Sequence, residues 1–189
     1  MSSHHIVREK QEPALLVLGL NNFDDEQLGQ LLEWSPTLMA TPIVAEQLNS
    51  LGIKLDWIIT NDANSDLQSD IKQLPVGDET VVTAALKHLT AQGYPALNIV
   101  TDEFNLTDYL PFADKLNLVI FHQQEKIFGV KSGFSKWKPA GESIRLLSSP
   151  QKLETTGLEQ TRELTYQTIS DGFFTLYFSE NLLFIAERL

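Results

Sequence analysis

The 189-residue chain contains no cysteine. That excludes disulfides, thiolate metal sites and a cysteine nucleophile, and it is compatible with a reducing compartment. There is also no run of about eighteen apolar residues, so no segment reads as a membrane-spanning helix. The first residues, Met1 to Lys10, are polar and lack an apolar stretch ahead of a small-residue cleavage site. They do not read as a signal peptide, and a cytoplasmic protein is expected. Basic residues are few: 14 Lys and Arg stand against 25 Asp and Glu, for a net charge of −11. Nucleic-acid binding draws its affinity from a basic face, so neither nucleic acid nor a membrane is expected as a partner. The nearest thing to a basic cluster is Lys126, Lys131, Lys136 and Lys138, spread through what reads as one hairpin region. It is either a solvated strand face or a local phosphate-attracting patch.

Several reaction signatures are missing as well. No glycine-rich phosphate loop of either common type occurs, and no Gly-x-Ser-x-Gly elbow. Gly19 is the single glycine in the stretch from Val17 to Asn22. His88 and His122 are not at metal-ligand spacing, and His88 reads as a surface residue. Phe134 and Trp137 could stack on an aromatic ligand, or pack within a core or hairpin.

What is present is an alternation of strand and helix. Ala14 to Gly19 is a short apolar run that reads as a buried strand. Asp24, Asp25 and Glu26 then favour a helix start, with Leu28, Leu31 and Leu32 on one face. Leu38 to Ala40 reads as a second strand. Pro42 opens a helix that Gly52 ends. Trp57 to Thr60 is a third strand, and the polar run Asn61 to Asp66 leaves its carboxyl end. Asp78 or Thr80 can cap the next helix, whose stripe is Val82, Ala85, Leu86 and Leu89. Leu97 to Val100 and Leu116 to Phe121 are further strands. Asn105 to Lys115 could hold a helix, with Pro111 at a bend or boundary. This order predicts an α/β fold: a Rossmann-like, mostly parallel sheet with helices on its faces.

From about residue 122 the pattern becomes β. Ile127 to Val130, Ser143 to Leu147, Phe173 to Phe178 and Leu182 to Ala186 read as strands, the last two paired through Ser179, Glu180 and Asn181. We therefore expect an α/β half over 1–122 and a small all-β, sandwich-like half over 123–189.

In an open α/β sheet, ligands sit outside the carboxyl ends of the strands. That rule selects Asp62, Asp66, Asp78, Asp102 and Glu103. Converging carboxylates could hold Mg²⁺ and a polyphosphate. The same residue types also favour turns and helix caps for their own sake.

The order of features resembles the thiamine pyrophosphokinase family from about Ala14 onward. Gln47 to Ile59, containing Leu51-Gly52-Ile53-Lys54-Leu55-Asp56, is similar to that family's leucine-glycine-isoleucine-lysine-proline-aspartate segment and the strand after it. Asp78-Glu79-Thr80 resembles its lysine-aspartate-x-threonine-aspartate helix start. Thr155-Thr156-Gly157-Leu158 resembles a turn of its β half, and Phe173 to Ile185 its closing hairpin. The resemblance implies transfer of diphosphate from ATP to thiamine with Mg²⁺, a homodimer, and thiamine or a related small molecule as ligand. It marks Asp78 and Asp62 as the catalytic and metal-binding positions. Thr80 and Ser170 match ligand-binding positions, and Asp102 joins them from its place at the sheet edge.

Departures from the family pattern fall on its chemistry. Thr41-Pro42-Ile43 stands where the family has an aspartate and two glycines. Thr60 to Asn64 replaces glycine-aspartate-phenylalanine-aspartate-serine, and a one-residue shift recovers Asp62 alone. Val81 replaces the second aspartate of the helix start, and Gly77 its lysine. Thr101 to Asp108 holds neither the arginine nor the histidine expected there. Two readings follow: a relative with a decayed ATP and Mg²⁺ site that at most binds a small ligand, or a working thiamine diphosphokinase with displaced acidic ligands, such as Asp62, Asp66 and Asp102.

Overall fold

The computed structural model describes residues 12–62 and 70–189. Asp66 therefore lies outside the described residues, with the rest of 63–69. The chain divides between Leu118 and Val119 into two compact units.

In the first unit the short apolar runs become parallel strands. They are β1 (Ala14–Val17), β2 (Leu38–Ala40), β3 (Trp57–Ile59), β4 (Lys72–Leu74) and β5 (Ala96–Thr101). Their order is β5-β1-β2-β3-β4. Every residue of β1 is fully buried, as expected of a central strand covered on both faces. Among the described residues, helices α1 (Asp25–Leu32), α2 (Pro42–Ser50) and α3 (Val81–Ala91) carry crossovers. Asp24 caps α1 by accepting from Glu26 N at 2.8 Å. Of the two candidate caps of α3, Thr80 is the one used: its hydroxyl accepts from Thr83 N at 3.1 Å. Leu48, Ala85, Leu86 and Leu89 are buried, so α2 and α3 each turn one stripe to the core.

Two features differ from the sequence reading. Lys72–Leu74 is a strand that its composition hides, because an edge strand with both of its first residues exposed needs no apolar pattern. Asn105 to Lys115 is not an α-helix but two short 3₁₀ turns, Leu106–Asp108 and Leu110–Phe112. Pro111 has no N–H to give to an i−4 carbonyl, and the tighter turns avoid that loss.

The second unit is a two-layer β structure. β6 (Asn117–His122) leads into it, and from Val119 onward pairs antiparallel with β7 (Glu125–Val130). That pairing draws the division into β6, a few residues ahead of the join read from the sequence. The remaining strands are β8 (Phe134–Lys138), β9 (Ser143–Leu146), β10 (Glu154–Thr156), β11 (Leu158–Arg162), β12 (Thr165–Thr168), β13 (Gly172–Tyr177) and β14 (Leu183–Arg188). One layer runs β6-β7-β14-β9-β12-β11 and the other β10-β13-β8. Val130, Ile144, Leu146 and Ile185 from the first meet Phe174 and Leu176 from the second, giving one shared core.

The expected closing hairpin is absent. β13 pairs with β8 and β10, whereas β14 inserts between β7 and β9. The chain therefore crosses from one layer to the other at 178–182. A second crossing occurs at Gly157, between β10 and β11. There φ is +72°, and a Cβ would stand 2.8 Å from the Phe173 carbonyl oxygen, so only glycine fits. The lysine run is likewise not one hairpin, since β7 and β8 lie in different layers. Lys136 and Lys138 turn inward to Glu187, which is 3% exposed, with Nζ to Oε2 distances of 2.5 and 3.3 Å.

Candidate functional site

In the first unit the chain order reverses at β1: β2, β3 and β4 extend to one side and β5 to the other. Such a switch opens a crevice at the carboxyl ends of the strands. A cleft of about 630 Å³ lies there. Leu18 and Asn21 after β1, and Thr41 after β2, form part of its wall. The start of α3 adds Thr80, Val81 and Val82. The segment after β5 supplies Thr101, Asp102, Glu103, Phe104 and Asn105, and the 3₁₀ region adds Asp108 and Tyr109.

Asp102 is fixed in place. Its Oδ2 accepts from Asn21 N at 3.2 Å and from Asn21 Nδ2 at 2.8 Å. The carboxylate lies against Gly19, where a Cβ would stand 2.2 Å from Oδ2. The absence of a side chain at residue 19 is what admits it. Beside it, Thr101 Oγ1 donates to the Glu103 carbonyl at 2.7 Å and bends the chain out of β5. Phe104 and Tyr109 stack with ring centroids 5.6 Å apart and planes at 18°. Tyr109 is 1% exposed, and burial first, then the neighbouring Asp108 charge, pushes its pKa up to about 12.

The electrostatics of the wall are one-sided. Among the described residues it carries three carboxylates, Asp102, Glu103 and Asp108, and no Lys, Arg or His. Against them stands the α3 N-terminus, equivalent to roughly half a positive charge.

The residues marked in the sequence separate in three dimensions. Thr80 and Asp102 line the cleft; Asp62 and Asp78 do not. Both are exposed, on loops joined by their neighbour Asn61. Its Oδ1 accepts from Val76 N at 2.8 Å and Gly77 N at 2.9 Å, and its Nδ2 donates to the Gly77 carbonyl at 3.2 Å. Ser170 belongs to the second unit, exposed in the turn between β12 and β13. Among the described residues, no group of three or more His, Cys, Asp or Glu is placed to hold a metal ion. His88 is half-buried, its ring 4.5 Å from that of Trp57, rather than on the open surface. Phe134 packs on Phe128 and Phe174, whereas Trp137 is 53% exposed, opposite an exposed Phe173.

Asn21, Phe104, Asp108 and Tyr109 were not legible as site residues. Asn21 carried the signal of following the first strand. The other three lie in or beside the segment that reads as a helix and turns as 3₁₀.

No protein-family model matches the sequence, and no curated protein does. Solved structures do. The chain is similar to a thiamin pyrophosphokinase from Geobacillus thermodenitrificans, with a TM-score of 0.70 and 14% identity over 93% of this chain and 97% of that one. It is similar to thiamin pyrophosphokinase from Candida albicans, with a TM-score of 0.68 and 10% identity over 94% and 90%. The yeast enzyme gives a TM-score of 0.65 at 10% identity over 97% and 88%. At this identity the likeness shows the fold: an α/β unit with a mostly parallel sheet and a β-rich unit, arranged in chain order as in the thiamin pyrophosphokinases.

Proposed function

We propose that this chain keeps the thiamin pyrophosphokinase fold and its cleft as a small-molecule binding site, without diphosphate transfer from ATP. One observation carries the reading: among the described residues the cleft wall holds three carboxylates and no cationic side chain. Phosphoryl-type transfer depends on positioning and on metal or cationic stabilisation of the moving charge. Losing one such preorganised group costs ~10²–10³ in rate. Here the helix start turns Val81 to the cleft, and Val81 cannot bind a metal.

The residues fit an Mg²⁺–ATP complex poorly. Asp102 gives Oδ2 to Asn21, the two expected metal ligands Asp62 and Asp78 are not part of the cleft wall, and among the described residues no side chain there can neutralise a phosphate.

A second reading has one observation in its favour. Asn61 binds Gly77, so Asp62 and Asp78 each follow a residue of a hydrogen-bonded pair. Two carboxylates on loops tied in this way could hold a metal for a working thiamine diphosphokinase. The homodimer implied by the resemblance belongs to both readings, and the exposed Trp137 and Phe173 offer it an apolar surface.

Incubation of the purified protein with thiamine, ATP and Mg²⁺, following AMP and thiamine diphosphate, separates the two. The first reading expects no product above the protein-free control. Turnover that Asp78→Ala abolishes overturns it.

A further inference from the structure

We propose that Glu187 is a charge lock between the two layers of the β-rich unit: it makes β8 and the last strand open and close as one body, and it holds Trp137 facing outward between two anchored lysines.

The inner faces of the strands set up the lock. Alternation along β14 puts Leu183, Ile185 and Glu187 on one face, and the first two belong to the shared core. Ile144 of β9 pairs with Glu187 and lies in the same core, so Glu187 sits between the layers. On β8 the inward set is Phe134, Lys136 and Lys138, each more buried than the residues between them. Phe134 packs on Phe128 and Phe174, and Lys136 Nζ lies 5.4 Å from the centre of the Phe128 ring. On β7, Lys126 pairs with Glu187 in register and shares its face. Where the apolar core ends, the seam between the layers therefore brings lysines from β7 and β8 to a carboxylate from β14.

Charge holds that seam shut. A carboxylate at 3% exposure is costly unless it is paired. Lys136 and Lys138 pair it through Oε2, at 2.5 and 3.3 Å, while Oε1 is buried with no hydrogen bond among the described residues. The dependence runs both ways. Glu142 also reaches Lys138, at 3.7 Å, but from the partly exposed rim. Without Glu187 the lysines of β7 and β8 would meet across the seam, and their repulsion would push β8 away from the other layer.

The strand held in this way carries an aromatic ring on its other side. Trp137 lies between Lys136 and Lys138 in the chain, and alternation turns it outward, 53% exposed. Two inward anchors on either side of it fix the rotation of the strand about its own axis, and with it the direction of the ring. β8 is an edge strand, paired with β13 alone among the described residues. The lock supplies the restraint that a second neighbouring strand would otherwise give.

The test is native-state hydrogen exchange of the full chain at neutral pH, read by mass spectrometry on peptides covering 134–138 and 183–188. In wild type, sub-denaturing urea should accelerate both stretches with the same dependence, the mark of one opening unit. Glu187→Gln should raise exchange of both by about tenfold, less than a fully buried pair would give because Lys136 is partly exposed. Strands β1 to β5 should keep their wild-type rates. About 0.5 M NaCl should cut the increase to about threefold, because it screens the lysines from one another. Adding Lys136→Gln to Glu187→Gln removes one of the repelling charges and should bring 134–138 back to within about threefold of wild type.

Different urea dependences of the two stretches in wild type overturn the inference, and this arm needs no variant to fold. So does unchanged exchange in Glu187→Gln, or an increase confined to one stretch. An increase that neither salt nor Lys136→Gln reduces is a packing defect, and it overturns the lock as well.

Discussion

Gly19 and Asp102 occupy one shared volume: the space a Cβ would take at residue 19 is filled by the Asp102 carboxylate, with Oδ2 2.2 Å and Cγ 2.5 Å from that point. Sequence-distant loops after β1 and β5 are therefore matched to each other atom by atom. Gly19→Ala should expel the carboxylate, break both bonds to Asn21, and cost about 1–3 kcal/mol in urea denaturation. Asp102→Ala empties the space. In that background Gly19→Ala should cost only a few tenths of a kcal/mol, and a double-mutant cycle measures the coupling.

Tyr109 predicts an alkaline limit to stability. Its pKa rises from 10.0 unfolded to about 12 folded. Below about pH 10 the phenol is protonated in both states, and its contribution is fully present. Between pH 10 and 12 the unfolded chain releases the proton first, so stability falls as pH rises. The loss approaches roughly 2–3 kcal/mol by pH 12, at 1.36 kcal/mol per unit. Urea unfolding of wild type and Tyr109→Phe from pH 9 to 12 isolates it, because the variant should lack this fall.

Glu187 predicts an asymmetry between breaking and replacing a charge cluster. Lys136 and Lys138 both reach its Oε2, while Oε1 is buried without a partner among the described residues. Lys136→Met should destabilise by about 1–3 kcal/mol, since it leaves a buried charge less compensated; the partial exposure of Lys136 keeps this below the figure for a fully buried pair. Adding Lys138→Met and Glu187→Leu should return most of the loss, measured by the same denaturation.

Asn61 predicts a local effect. Asn61→Ala removes its three hydrogen bonds to the Val76–Gly77 turn and should cost about 1–2 kcal/mol, because water can reach the exposed groups left behind. Asn61→Asp keeps the two accepting bonds, so thermal unfolding should show a smaller loss.

The exposed pair of Trp137 and Phe173 predicts assembly. Sedimentation velocity is expected to show a dimer, and Trp137→Glu with Phe173→Glu to shift it to monomer. A wild-type monomer at micromolar concentration overturns the homodimer.

Legibility of the fold followed burial. Ala14–Val17, Leu38–Ala40 and Trp57–Ile59 are short apolar runs because their strands are central or nearly so, and each can be read directly. Lys72–Leu74 cannot, since an exposed edge imposes no pattern. The pairing of β13 with β14 reads as a hairpin because the two strands are close in sequence; their separation is a matter of which layer each inner face fits. In the site, Asp102 was legible from its place at the end of β5. Tyr109 was not, because Pro111 converts a helical pattern into turns, and a side chain's direction depends on which turn forms. Asp62 and Asp78 were legible as acidic loop residues, but membership of a cavity wall is a property of three-dimensional placement that spacing does not encode.

The insertion of β14 between β7 and β9 has a consequence for the order of assembly. Both neighbours precede it in the chain by tens of residues, yet neither has its full set of ladder partners until residues 183–188 are in place. Such distant pairings close loops at an entropic cost that must be met before the contacts reward it. During synthesis the β-rich unit therefore waits with two open strand edges until its last strand has emerged, whereas every strand of the parallel sheet's β5-β1-β2-β3-β4 order is available by residue 101. The α/β unit can be folded while its companion is still an unfinished sheet, and the interval between the two is when the chain is most exposed to pairing with the wrong partner.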